Sequence, residues 1–398
     1  MTQIAKRKLV ALTCAAMTQH GIVLLLIGPI LPSVMKAFRI QESAAGMMLG
    51  LGSLGFMLGP IVAGTIADRA GAKWILLFGL IGEVVLLSLF GFAPAFLWAV
   101  VINMLLHFAA AFVETAVNVI PTLVERRHTG SLMNLVHLFF GVGALASPFL
   151  AGLILKFTDN WRLVLWSAAL PTLALALATW RLRFPSHREH MEREGRSSQI
   201  TFPALLRNRA VLLGALALGL YVGAEVGLSN WIVLYLQRRL GLATLASTSG
   251  LSVLWIGIMA GRYLNSLLAR SRSSRELVLW AGVGGLVSGL GLLTARSLWE
   301  AYVWLGIIGL FMSGVYPNIM ADLNGRDPSR TGAVTGILTV GAAAGAMVSQ
   351  PLLGVIAEWM GLSVAMAMPA VLMGLLTVAY LSAADVKPEA RDAGAFSS

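Results

Sequence analysis

An all-α integral membrane protein with twelve transmembrane helices in two pseudo-symmetric bundles of six is the fold class this sequence predicts, on three observations. Of 398 residues, 58% are hydrophobic and 12% charged, against soluble averages of about 45–50% apolar and 25% charged; mean hydropathy is +0.81. Apolar stretches able to cross a hydrocarbon core, which takes about 20 helical residues, recur twelve times. The second half also repeats the first. Gly143-Ala144-Leu145-Ala146-Ser147-Pro148-Phe149-Leu150-Ala151-Gly152-Leu153-Ile154 lines up with Gly345-Ala346-Met347-Val348-Ser349-Gln350-Pro351-Leu352-Leu353-Gly354-Val355-Ile356. The same offset, about 202, carries Ile40, Leu49, Gly55, Met57 and Gly59 onto Leu242, Leu251, Gly257, Met259 and Gly261. A period of half the chain marks a duplicated domain, since solenoid repeats run about 20–50 residues. In membrane proteins, paired halves commonly build a site at their interface.

The first six spans fall at roughly 9–35, 44–67, 74–92, 96–122, 132–156 and 163–181, by the length an apolar helix needs. The second six fall at roughly 210–237, 245–268, 277–295, 299–321, 332–357 and 362–383, by the same criterion. Residues 1–181 are therefore an N-terminal bundle and 209–383 a C-terminal one. Between them, 182–208 is a charged linker in which Arg188, Glu189, Glu192, Arg193, Glu194 and Arg196 suggest a short amphipathic helix. Residues 384–398 are a frayed tail. The other loops are short, which makes neighbouring spans antiparallel. Gly46, Gly50, Gly55 and Gly59 in span 2, Gly141, Gly143, Ser147 and Gly152 in span 5, and Gly341 and Gly345 in span 11 suit close helix approach. Pro29, Pro32, Pro60, Pro148 and Pro351 are expected to kink their spans.

Charge distribution sets the topology. Placing the N-terminus inside gives the inner segments 21 basic residues, among them Lys6, Arg7, Lys8, Arg69, Lys73, Arg126 and Arg127, and the outer loops 7. Both termini are thus expected in the cytoplasm, and the net charge of +11 reads as topology rather than as a nucleic-acid footprint. Arg262 alone lies inside a span. Cys14 is the single cysteine, so neither a disulfide nor a thiolate metal site is expected. The first apolar run lacks a small-residue cleavage site, so no cleavable signal peptide is expected.

Intramembrane acids are functional candidates by default, and Glu83, Glu114 and Glu225 lie well inside spans. Asn103, His107, Glu114 and Asn118 recur at helical spacing and share one face of span 4. A second stripe, Asn134 and His137, lies on span 5, and the two are expected to face one another. Gln19 and His20 are the strongly polar residues deep in span 1, and a histidine there can titrate near neutrality. In span 7, Tyr221, Glu225 and Ser229 share a face with Asn230 and Trp231 adjacent, and Gly223 and Gly227 would allow local unwinding at Glu225. Trp231 and Trp255 are candidate platforms for the apolar face of a ligand.

The loop Gly64-Thr65-Ile66-Ala67-Asp68-Arg69-Ala70-Gly71-Ala72-Lys73 resembles the signature of the major facilitator superfamily: Gly, three residues, Asp, Arg or Lys, one residue, Gly, then Arg or Lys. Asp68, Arg69 and Lys73 are then a charge lock on the transport cycle. The second half has no acid at the corresponding place, so the lock is asymmetric. Glu114-Thr115-Ala116-Val117-Asn118, followed by Asn134-Leu135-Val136-His137-Leu138-Phe139-Phe140-Gly141, looks like the fucose permease branch. That resemblance implies sugar binding and proton coupling at Glu114. His137 stands where the branch has glutamine, Phe140 where it often has asparagine, and Gly28-Pro29 lacks the span-1 acid. The segments around Glu225 and at Tyr316-Pro317-Asn318 also resemble that branch, which makes Asn318 a cavity residue and leaves Asp322 to the cytoplasmic gate.

The leading expectation is a proton-coupled symporter of the cytoplasmic membrane for a sugar or polyol, with sodium as the other ion open to it. No cofactor, metal or nucleic acid is expected. The partners are the small-molecule substrate and the lipid bilayer, and the resemblance implies a functional monomer. Glycine-rich stretches such as Gly50–Gly59 lack the Lys-Ser/Thr ending of a phosphate loop. Drug or metabolite efflux stays open, because Gly143-x-x-x-Ser147-Pro148-x-x-Ala151-Gly152 half resembles the span-5 motif of antiporters. A non-transporting sensor or a membrane enzyme is the remaining alternative, though no His-Glu-x-x-His motif occurs.

Overall fold

The computed structural model describes residues 3–125, 129–184, 208–326 and 330–384, with the side chains of Asp68, Thr129, Gly130, Ser131 and Ala384 outside the description. Nearly all of the amphipathic linker and the tail thus lie outside the described residues. Twelve helical stretches are long and apolar enough to cross a membrane: Gln3–Phe38, Glu42–Ala67, Ala72–Gly91, Phe96–Val124, Leu132–Thr158, Trp161–Arg181, Arg209–Leu240, Thr244–Leu268, Ser274–Thr294, Leu298–Arg326, Thr331–Met360 and Leu362–Ala383. These are spans 1 to 12 below. No strand occurs among the described residues. Large apolar side chains such as Ile61, Phe78, Leu97, Leu170, Val287 and Val378 stand exposed on the flanks, as a surface solvated by lipid tails requires.

Three spans are broken, each at the same distance from a proline. Span 1 divides into Gln3–Leu24 and Ile27–Phe38, span 10 into Leu298–Met312 and Val315–Arg326, and span 12 into Leu362–Ala365 and Ala367–Ala384. Leu26, Gly314 and Met366 lie in these breaks three residues before Pro29, Pro317 and Pro369, each next to the carbonyl four residues ahead of its proline. A proline ring clashes with the carbonyl four residues earlier and offers it no N–H, so the ladder parts there. Pro32, Pro60, Pro148 and Pro351, expected to kink, lie inside uninterrupted helices. Span 7 likewise runs unbroken from Arg209 to Leu240, against the unwinding expected at Glu225. Its glycines are spent on packing instead: a Cβ at Gly223 would meet the Gly345 carbonyl at 3.1 Å, and one at Gly227 would meet Leu353 Cδ1 at 2.7 Å.

The internal repeat is a repeat of contacts. Gly55 of span 2 packs on the backbone of Met104 in span 4, and Gly257 of span 8 packs on the backbone of Gly306 in span 10. Gly143 of span 5 packs on the carbonyl of Thr18 in span 1, and Gly345 of span 11 packs on that of Gly219 in span 7. Each pair recurs at the duplication offset because only hydrogen in place of a side chain admits such backbone approach. Gly345→Val is expected to destabilise by about 1–3 kcal/mol or more through overpacking, whereas Gly332→Val, with nothing within 4 Å of an added Cβ, should be neutral. Melting temperatures of the two purified variants in detergent check this; equal values would refute it.

The first six spans meet the last six chiefly at the end of the molecule remote from the termini. There Glu42 pairs with Arg238, Ser43 N–H donates to the Glu358 carboxylate at 3.0 Å, and Gly46 and Gly50 lie against Gln350 and Pro351. Gly28 lies against Ser229 and Gly152 against Thr248, and Ser252 Oγ donates to the Leu145 carbonyl at 2.9 Å. Toward the termini, Gly64, Gly332 and Gly336 have nothing among the described residues within 4 Å of an added Cβ. Among the described residues, the ties between the halves therefore gather at one end, and that end is the closed one.

Candidate functional site

Four polar groups of the first half gather on spans 1, 4 and 5. His20 Nε2 lies 3.4 Å from Glu114 Oε2, with the His20 side chain fully buried and that of Glu114 35% exposed. Burial clamps the imidazole: its ring stacks 6.3 Å from Phe56 and lies 5.9 Å from Phe140. One turn further along span 4, Asn118 Oδ1 is 3.1 Å from His137 Nε2, so the polar faces of spans 4 and 5 do meet. Asn134 is exposed toward the open end. Glu114 thus has one wall of fixed aromatic and imidazole groups and one face free for a solute.

The second half supplies a complementary wall. Tyr221 precedes Glu225 by one turn on the same face of span 7 and interacts with its carboxylate. Tyr316, half-buried beside the break in span 10, interacts with Thr339 and lies near enough to both Glu114 and Glu225 to act on each electrostatically. Trp255 packs edge-on against Phe140 with centroids 5.6 Å apart, and its Nε1 has no partner among the described residues. His20, Phe140 and Trp255 therefore form an aromatic chain from one half to the other. Gln350 closes the far end: its Oε1 accepts from Trp231 Nε1 at 3.1 Å and from Asn230 Nδ2 at 3.4 Å, and its Nε2 is buried with no partner among the described residues.

Other candidates stand elsewhere. Gln19 Nε2 donates to the Ala168 carbonyl and to Thr172 Oγ1, both at 2.8 Å, so it ties span 1 to span 6. It borders a flank groove of about 1380 Å³ between spans 1, 5 and 6, apart from the acids. Trp231 is fully buried and is held as a packing residue, leaving no open ring face. Asn318 Nδ2 donates to the Gly314 carbonyl at 2.7 Å and to Asn265 Oδ1 at 3.3 Å, which stitches the broken turn of span 10 to span 8. Asn103 is buried and donates to the Met48 carbonyl at 2.9 Å, and its own carbonyl lies 2.9 Å from His107 Nδ1. The lower part of the span-4 stripe thus anchors span 2.

Of the charge lock, Lys73 Nζ donates to the carbonyls of Trp180 and Leu182 at 2.8 and 2.9 Å, which joins the loop after span 2 to the end of span 6. Arg69 is exposed, and the Asp68 side chain lies outside the described residues. Asp322 pairs with Arg326 at 2.9 Å and accepts from the Tyr380 hydroxyl at 2.8 Å, an inter-span tie at the termini end. Glu83 is fully buried in span 3, and neither of its oxygens has a partner among the described residues.

Tyr316 and Gln350 were not among the residues the sequence singled out for the site. Tyr316 had one signal, its place directly before Pro317. Gln350 had another, since it is an amide standing where the repeat has Pro148 in the first half. No group of three or more potential metal-ligating side chains occurs among the described residues.

Twelve apolar helices in two bundles that meet at one end, with intramembrane acids facing one another between them, define a multi-pass membrane protein. The chain belongs to the Major Facilitator Superfamily, whose description matches residues 10–326. It is 25% identical over 359 residues, 85% of each chain, to a glucose/galactose transporter of Brucella abortus. It is also 25% identical over 262 residues to a provisionally assigned glucose/galactose transporter of Helicobacter pylori strain J99, and the match covers 62% of that relative's length. Its fold matches that of an inward-facing bacterial homologue of the human lysosomal transporter Spinster with a TM-score of 0.81 over 96% of this chain and 98% of that one, at 14% identity.

Proposed function

We propose that the chain is a proton-coupled symporter that carries a small polyhydroxylated solute of the sugar or polyol kind across a bacterial-type cytoplasmic membrane. It works as a monomer with both termini in the cytoplasm, so the open end described above faces inward. The observation that supports this most is the Glu114–His20 pair, a carboxylate and an imidazole at 3.4 Å in a site open on one side. Moving between inward- and outward-open forms requires the site to close around Glu114. A bare carboxylate sealed among apolar spans is costly, so closure is favoured when the group holds a proton or is bonded to solute.

The sequence of events follows from that condition. A proton and solute enter together from outside; the solute hydroxyls bond to Glu114, Asn118, Tyr221, Glu225 and the free Trp255 N–H, and the loaded site closes. Opening inward hydrates Glu114 and releases both. His20 holds the carboxylate in place and can share its proton. The relatives named as glucose/galactose transporters support the solute class.

The experiment is uptake of radiolabelled glucose, galactose and a panel of polyols into proteoliposomes, under an inward proton gradient, an inward sodium gradient and neither. Concentrative uptake under the proton gradient alone is the expected result. Accumulation driven by sodium would replace the ion, and solute extrusion would replace symport by efflux.

A further inference from the structure

We infer that the carried solute bears a carboxylate, as in an aldonate or a uronate, and that Arg262 is the residue that receives it. The inference rests on the transporter reading above and narrows its substrate class. Along span 8, Trp255, Met259 and Arg262 follow at spacings of four and three and so share one face. That face looks across at span 5: Trp255 meets Phe140 at 5.6 Å, and a Cβ at Gly141 would lie 3.0 Å from Met259 Cγ. Arg262 continues the same face one turn closer to the open end. His137, one turn before Gly141 on the antiparallel span 5, comes opposite.

The Arg262 side chain is exposed, and no hydrogen bond or ion pair holds it among the described residues. It stands six residues before the end of its helix, about 9 Å along the axis. Its place on the face that carries Trp255 and Met259 sets it on the span-5 side of its helix, within electrostatic reach of His137, Tyr221 and Glu225.

A guanidinium stays charged at any physiological pH and presents a planar fork matched to carboxylate. A lone cation in a membrane span is costly and marks a substrate path. The cost grows when the open end shuts and the charge loses water. The Glu225 carboxylate relieves it only at a distance, because no ion pair joins the two among the described residues. A solute with its own carboxylate would do so directly, with the acid on Arg262 and the hydroxyls reaching toward Glu114, Asn118 and Tyr316. A neutral sugar would leave the cation bare.

The test compares neutral and acidic members of matched pairs, galactose against galacturonate and glucose against gluconate, by thermal shift and proteoliposome uptake on the full-length protein. The wild type is expected to bind and carry the acids in preference to their neutral partners. Arg262→Gln should weaken acid binding at least about tenfold, as loss of one partner of a charge-assisted contact does, and Arg262→Lys should recover part of it. The melting temperature of each variant without ligand separates lost binding from lost folding. Neutral sugars carried as well as acids, with Arg262→Gln unchanged, would overturn the charge assignment and leave the symporter reading intact. Equal loss of neutral and acidic uptake in Arg262→Gln would overturn it in favour of an internal counter-ion. No uptake of either class would remove both readings.

Discussion

Glu114→Gln is expected to end uphill transport while sparing downhill exchange. The substitution keeps the shape and hydrogen-bonding reach of the protonated side chain and removes its ability to lose the proton. The variant should therefore pass through the closed state without coupling to the gradient. In proteoliposomes with an inward proton gradient, solute uptake should fall to simple equilibration, while counterflow against internal solute persists. The His20 pairing at 3.4 Å predicts a companion effect: His20→Gln should lower concentrative uptake partially, since the carboxylate would lose its positioning partner and keep its proton site. A Glu114→Gln protein that still concentrated solute would remove Glu114 from coupling.

Gly354→Trp is expected to block the cycle by holding the closed end ajar. Span 11 approaches span 2 so nearly that a Cβ on Gly354 would collide with the Glu42 carbonyl and lie 3.1 Å from Gly46 Cα. An indole there cannot be accommodated without separating the halves. Two conformations of a carrier differ by only a few kcal/mol, and overpacking of this size exceeds that difference. Turnover should drop by about two orders of magnitude. A cysteine placed at Ser229, 4% exposed beneath this seam, should become reactive to an impermeant maleimide from the outer side in a Cys14→Ser background. Unchanged labelling together with normal turnover would show that the seam does not gate access.

Span number and the glycine repeat were legible because each is a local property. A stretch of apolar residues has one low-energy state in lipid, a helix with its backbone bonds satisfied internally. A glycine repeated at a fixed offset reports a close approach used twice, as the paired Gly55–Met104 and Gly257–Gly306 contacts show. The broken spans were less legible. Pro29 and Pro32 look alike in sequence, yet the ladder parts before Pro29 alone, because tolerance of a kink depends on what neighbouring helices offer the freed carbonyls.

The candidate site was legible in part. Helical spacing brought Glu114 and Asn118 to one face, and the structure sets His20 and His137 against that face. Gln19, next to His20 in the chain, turns about 100° around the helix and serves span 6 instead. Trp231 and Asn318 have the composition of cavity residues, but each is consumed by an internal hydrogen bond. A residue's type says what it can bond, and only its neighbours say whether that capacity is left over.

By itself, then, the sequence determined that this protein is a duplicated bundle of twelve apolar helices, and it named the acids costly enough to need a purpose. Tertiary structure decided which of their polar companions face the cavity, where the halves close, and that Arg262 has no hydrogen-bond or ion-pair partner among the described residues. The physical reason is range. Helix formation and partition into lipid are settled within one turn or one span, whereas cavity, seam and unpaired charge depend on packing between different spans, from 19 residues apart for Asn118 and His137 to 196 for Glu42 and Arg238.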